Sequence, residues 1–316
     1  MTRAPALFVS HGSPMFAVEP GQLGPRLAEL GTGLDGARAI LVVSPHWQTR
    51  DVRVSTSPAP ATIHDFGGFP DALYRLRYPA PGAPGFARQA IGLLRRAGFL
   101  ADEDARGLDH GAWVPLLHLR PQVDIPVFQV SMPHDLDTRS ALSLGAALRP
   151  LRDQGVVVVG SGSMTHNLNE FFRGAADGDY ARSFATWVGK AVERRDVEAL
   201  VDYRQRAPHA ERAHPTEEHY LPLLVALGAS HDNEPLRLVP GGMVDRVLSM
   251  DSLAWGQHRM STMSTSVALT LKPRSTPPAP VASPRTTPVT ARTAPATAAA
   301  RGSSAPSRTP RAARRR

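Results

Sequence analysis

Four short, almost wholly apolar runs constrain this chain more than anything else in it: Ala6–Ser10, Ala39–Val43, Ile125–Val130 and Val156–Val159. A strand with one wet face alternates apolar and polar residues, and these runs do not alternate. Both of their faces must be covered, which is the environment of a mainly parallel sheet between helices. Helix patterns fall between the runs. Phe86, Ala90, Ile91 and Leu94 share one helical face ahead of Gly98, and Phe184, Trp187, Val188, Ala191 and Val192 share another. A third helix is expected from Thr216 as N-cap through Leu221, Leu224 and Leu227 to Gly228, with a kink or a short first turn at Pro222. The expected fold is α/β: one domain with a central, mostly parallel mixed sheet flanked by helices.

Charge divides the chain in two. Residues 261–316 carry ten Lys or Arg, no acid and nine of the 30 prolines among Ala, Thr and Ser, whereas residues 1–260 hold 26 basic and 28 acidic residues. The domain is therefore expected over 1–260, followed by a disordered basic tail over 261–316, a segment too poor in apolar surface to offset its ordering entropy. Such a tail binds nucleic acid weakly and in a salt-dependent way, if at all. There is no cysteine, so thiolate metal sites, disulfides and a cysteine nucleophile are excluded. No apolar run reaches membrane-spanning length and the N-terminus lacks a signal-peptide layout, so the expectation is a cytoplasmic protein without a membrane partner.

The twelve histidines carry the functional signal. His11, His46 and His166 each follow an expected core strand, and ligands of open α/β sheets bind outside the carboxyl ends of such strands. Three imidazoles brought together there, in a chain without cysteine, point to a metal site suited to Zn, Fe, Cu or Ni. His219, on the expected first turn of the third helix, is the fourth candidate, with Glu218 beside it as a carboxylate alternative. His64 and His110 lie in loops dense with Gly and aromatic residues, of the kind that lines a pocket for a flat ligand. His118, His134, His209, His231 and His258 lack such a setting and read as surface or structural residues. Gly160-Ser161-Gly162-Ser163 has no Lys after it, as a P-loop requires, and neither a nucleophile elbow nor a Gly-x-Gly-x-x-Gly follows the first run.

Seven motifs, in order over residues 5–256, give the chain a family likeness. They are Phe8-Val9-Ser10-His11-Gly12-Ser13-Pro14, Val43-Ser44-Pro45-His46-Trp47, the stretch from Ile63 to Pro70, the stretch from Tyr78 to Gly82, Leu108-Asp109-His110-Gly111-Ala112-Trp113, the stretch from Gly160 to Leu168, and the stretch from Pro215 to Leu224. Together they resemble the DOPA-dioxygenase group of class III extradiol ring-cleaving dioxygenases, whose members generally lack a tail like this one. The resemblance implies a fold like the catalytic subunit of protocatechuate 4,5-dioxygenases. It also implies a metal held by His11, His46 and His219, with His166 as a fourth ligand or as the acid/base and His110 as a second catalytic histidine. Glu218 and His219 both stand as the third ligand.

The metal implied is Zn2+ or Fe2+, with Fe2+ required for ring cleavage. The partners implied are a DOPA-like or other catechol and O2, and the product is a semialdehyde. The alternatives left open by the residues themselves are a zinc-dependent hydrolase using the same histidines, and a non-enzymatic metal- or nucleic-acid-binding protein.

Overall fold

The described residues form ten strands: β1 (Ala6–Ser10), β2 (Ala39–Thr49), β3 (Val52–Ser55), β4 (Ala101–Asp104), β5 (Val127–Pro133), β6 (Val156–Gly162), β7 (Leu236–Val239), β8 (Met243–Val244), β9 (Leu248–Ser249) and β10 (Ser252–Trp255). The computed structural model describes residues 3–175 and 177–256, so His258 and the basic segment over 261–316 lie outside the described residues. Eight strands make one mixed sheet in the order β4-β3-β5-β2-β6-β1-β10-β7. Its centre, β5-β2-β6-β1, is parallel throughout and consists of the four apolar runs. The strands beyond β1, namely β10 and β7, are added antiparallel. On the other side β3 is antiparallel to β5, while β4 is parallel to β3.

Alternation along these strands fills two cores. Phe8, Leu41, Val43, Phe128, Val130, Val156 and Val158 face one layer; Leu7, Val9, Ile40, Val42, Val127, Val157 and Val159 face the other. The first layer packs on helices Pro84–Arg96, Thr138–Leu148, Asp179–Glu193 and Leu221–Ala229, the second on Leu23–Thr32 and His110–Leu119. The side-chain period of two thus explains why the runs are apolar at every position. Among the described residues no helix is long and apolar enough to cross a membrane.

Two local expectations are corrected, and both bear on the site. β2 does not stop at Val43 but runs on to Thr49, with a register shift that sets Ser44–Trp47 opposite Ser131 alone. Pro45 lies in this bulge, where its missing N–H is not needed by the ladder. His46 is therefore thrown out of a continuing strand, not carried on a loop after one. The third helix begins at Leu221 instead of Thr216, with Tyr220 as its N-cap and Pro222 in its first turn. A proline there interrupts no helical hydrogen bond, so no kink is required. His219 sits in the turn before the helix.

The Gly160-Ser161-Gly162-Ser163 stretch is a packing device. A Cβ on Gly160 would overlap the Pro222 carbonyl and one on Gly162 the His219 carbonyl. Their absence lets the His219 turn lie directly on β6, fastened by Ser163 N–H donating to His219 O at 2.9 Å.

Candidate metal centre and active site

Five histidines converge outside the carboxyl ends of the parallel strands, each held by a different element. His11 follows β1 and its N–H donates to Gly162 O of β6 at 3.0 Å. His46 projects from the bulge of β2. His110 opens the helix His110–Leu119, which Asp109 caps by accepting from Ala112 N–H. His166 lies in the loop after β6, its N–H bonded to Ala213 O at 2.7 Å. His219 comes from the turn described above. Ring centroids of His11, His46 and His219 are mutually 5.0–5.4 Å apart. His110 lies against His46 at 3.9 Å. The ring of His166 is stacked on His219 at 3.5 Å, with an 11° interplanar angle.

Several ring nitrogens face one another or stand free. Nε2 of His11 and Nε2 of His46 face each other at 3.0 Å. Nε2 of His219 is buried and has no hydrogen-bond partner among the described residues, while its Nδ1 lies 3.1 Å from Glu218 Oε1. Nδ1 of His11 lies 3.0 Å from Ser161 Oγ. A hydrogen bond on Nδ1 that leaves Nε2 free is the usual way a protein aims a metal-binding imidazole. Donor atoms lie within 4.8 Å of one another inside each of two neighbouring groups, His11/His46/His110 and His166/Glu218/His219. An all-imidazole and carboxylate donor set with a buried, unsatisfied nitrogen fits a non-haem divalent metal.

Burial, followed by the neighbouring imidazoles, pushes His11 well below the usual histidine range. His219 is pushed down in the same way and from the same causes. Burial takes His46 down to about 3 and His166 to about 4. The rings are thereby kept neutral, the form that offers a lone pair to a metal. Asp65 accepts from both N–H and Nδ1 of His110, at 2.9 and 3.0 Å. Burial pushes its carboxyl up, but the His110 contacts outweigh this and bring it to about 2.

An aromatic wall stands beside His110. Phe66 lies 5.6 Å from the His110 ring and 5.3–5.4 Å from Tyr74 and Phe69, and His64 lies 5.5 Å from Trp113. The His64 ring belongs to this wall, with Nε2 3.1 Å from Leu76 O, and is not part of the five-histidine cluster. His118, His134, His209 and His231 also lie outside the cluster; His118 Nε2, for instance, is 2.7 Å from Phe16 O.

Sequence reasoning passed over three groups. His214 is fully buried, its Nε2 3.0 Å from Met164 O and its ring among Phe184, Tyr203 and Tyr220. Ser161 and Gln129, both fully buried polar residues inside apolar strands, stand behind the histidines. A polar residue interrupting a strand covered on both faces was the signal for the last two.

A family model described as the catalytic LigB subunit of aromatic ring-opening dioxygenase matches residues 5–240. The 4,5-DOPA dioxygenase extradiol of Beta vulgaris is 38% identical over 252 residues, covering 78% of this chain and 94% of the relative. The protein of the same name from Escherichia coli K12 is 38% identical over 264 residues, 81% of this chain and 96% of the relative. The crystal structure of an uncharacterized Escherichia coli K12 protein, JW3007, has a TM-score of 0.66 and 32% identity, covering 80% of this chain and 100% of that one.

Proposed function

Since this chain belongs to the family of the catalytic LigB subunit of aromatic ring-opening dioxygenases, an extradiol ring-cleaving family, we propose that its five-histidine site opens a catechol ring with O2 to give a semialdehyde. The observation that carries the reading is the convergence of His11, His46 and His219 with the Nε2 atoms of the first two face to face and that of the third buried without a partner. These three residues hold the metal. Glu218 Oε1 is engaged by His219 Nδ1 and by Thr216 Oγ1 at 3.0 Å, so Glu218 orients the ligand next to it. The same donors accept Fe2+ or Zn2+, and ring cleavage calls for Fe2+.

A divalent metal held by His11, His46 and His219 would supply the positive charge that lowers the pKa of a catechol hydroxyl. His166 takes the remaining hydroxyl proton and later returns one. Its place suits that work: it reaches the centre from a longer loop than His11 and lies against His219, close enough to serve as a fourth ligand without substrate and as acid/base in turnover. His110, with Nδ1 held by Asp65, presents Nε2 to the bound substrate. Phe66 and its aromatic neighbours receive the flat ring and keep water from it. The substrate class, by the names of the relatives, is a DOPA-like catechol. The setting is the breakdown of aromatic compounds in the cytoplasm. The catalytic domain is residues 1–260, and the basic stretch 261–316 takes no part in the chemistry.

Oxygen uptake over a panel of catechols tests this on metal-stripped protein reloaded with Fe2+ or with Zn2+. Uptake restored by Fe2+ and not by Zn2+ supports ring cleavage. Substrate turnover without oxygen consumption, with either metal, overturns it.

A further inference from the structure

Two hydrogen-bonded lines run from the first turns of the helix His110–Leu119 to the histidines at the ends of β1 and β2. The first starts at Pro115, inside the helix. Proline has no N–H, so the carbonyl four residues back, that of Gly111, loses its helical donor. Ser161 Oγ of β6 donates to that carbonyl instead. A hydroxyl has one proton. With it committed to Gly111 O, the Ser161 oxygen can only accept from Nδ1 of His11, 3.0 Å away. His11 is therefore the Nδ1–H tautomer, and its lone pair is on Nε2, facing His46.

The second line starts at Asp109, a fully buried carboxylate. Its oxygens accept from Ser44 Oγ at 2.9 Å, Ala112 N–H at 3.2 Å and Gln129 Nε2 at 2.9 Å, while its own N–H donates to Gln129 Oε1 at 2.9 Å. Ser44 Oγ in turn accepts from His46 N–H at 3.3 Å. All three hydrogen bonds to the carboxylate come from donors, which satisfy the ionised form against the upward push of burial and of the nearby Asp65 charge. Gly111 lets the lines close up: a Cβ there would collide with Ser44 Oγ and come within 2.9 Å of His46 Cδ2.

We infer that the first turn of this helix is a positioning element for the metal site, acting on His11 through Ser161 and on His46 through the Gln129–Asp109–Ser44 network. This rests on His11 and His46 being ligands, a reading checked separately by whether the wild-type protein binds a divalent metal that His11→Ala loses.

The network carries its own test. In Asp109→Asn, the Gln129 amide can meet either the new Nδ2 or the residue-109 N–H, not both. In Gln129→Glu, two carboxylates face each other. The charge-swapped double variant, Asp109→Asn with Gln129→Glu, satisfies every partner again, because both Glu oxygens accept and the Asn oxygen keeps Ser44 and Ala112. Metal dissociation constants of wild type, both single variants, the double variant and Ser161→Ala are measured with Fe2+ or Zn2+ alone, alongside melting temperature. Imidazole 15N shifts of the metal-free protein report the His11 tautomer.

Loss of such supporting contacts weakens metal binding by about 10–100-fold. That loss is expected in each single variant and in Ser161→Ala, with recovery in the double variant and a shift of His11 toward Nε2–H only in Ser161→Ala. Wild-type affinity in Ser161→Ala, or a wild-type His11 already protonated at Nε2, overturns the proposal even if Asp109→Asn does not fold. Normal metal binding by both folded single variants overturns it equally.

Discussion

Nε2 of His11 and Nε2 of His46 stand 3.0 Å apart, although β6 runs between the strands that carry them. Strands two apart in a sheet are separated by roughly 9.5 Å, so the two rings lean toward each other over the end of β6. That end reads Gly160-Ser161-Gly162, and no large side chain rises between the rings. The bulge at Ser44–Trp47 supplies the rest of the approach. Two neutral imidazole lone pairs at this separation repel each other unless a proton or a cation lies between them.

Replacement of His11 or His46 by Ala is accordingly expected to abolish metal binding with little change in melting temperature. The change would remove one of the three proposed ligands, whereas the polar crevice tolerates a smaller side chain. Elemental analysis and thermal unfolding on the same samples check this, and full metal occupancy in either variant contradicts it.

His166 should behave differently. Its ring is stacked on His219, and its donor atoms group with those of Glu218 and His219 and not with the pair His11 and His46. His166→Gln is expected to keep much of the bound metal and to lose turnover by about 10²–10⁴-fold, the usual contribution of a positioned acid/base group. A variant that loses metal as fully as His11→Ala makes His166 a ligand and nothing more.

Far from the site, Arg152 is fully buried and pairs with both oxygens of Glu234 at 2.8 Å. It also holds the carbonyls of Ala4 and Ala229, tying the N-terminus to the end of the helix Leu221–Ala229. Burial pushes the Glu234 carboxyl up, but the Arg152 hydrogen bonds and charge, with the His231 N–H, bring it below its ordinary 4.5. A carboxyl lowered in the folded state stabilises above its unfolded pKa and loses that contribution as pH falls through the folded value. Wild-type stability should therefore drop below about pH 4.5 through this group, and Glu234→Gln should remove that part of the pH dependence. At neutral pH the variant leaves Arg152 without its counter-charge, at a cost of about 3–5 kcal/mol. Denaturant unfolding at pH 7 and pH 4 measures both effects.

The family match ends at residue 240, and among the described residues the last sheet strand ends at Trp255. A chain shortened to residues 1–260 is expected to match the full chain in melting temperature and oxygen uptake. A drop of more than a few degrees, or loss of uptake, places part of the domain beyond residue 260.

The sheet and the gathering of the histidines were legible because covered parallel strands and strand-end ligands leave residue-level marks. Val156–Val159 is apolar at every position for a reason visible in the sequence, and His11 directly follows its strand. The bulge that carries His46 was not legible, since it depends on the register of β2 against β5. The start of the helix at Leu221 was missed because Thr216 and two acidic residues imitate an N-terminus, while packing of the His219 turn on Gly160 and Gly162 sets the boundary. The Asp109–Gln129 pair joins a helix cap to a strand residue, a contact between distant segments that no local pattern encodes.

The most direct test of the ring-cleaving assignment is the ratio of O2 consumed to catechol consumed by Fe2+-loaded protein, with 18O2 used to follow the label into the product. One O2 per catechol, with 18O in the ring-opened acid, is the result expected of a dioxygenase acting through this site. Catechol consumed without O2, or a product carrying oxygen from water alone, contradicts it.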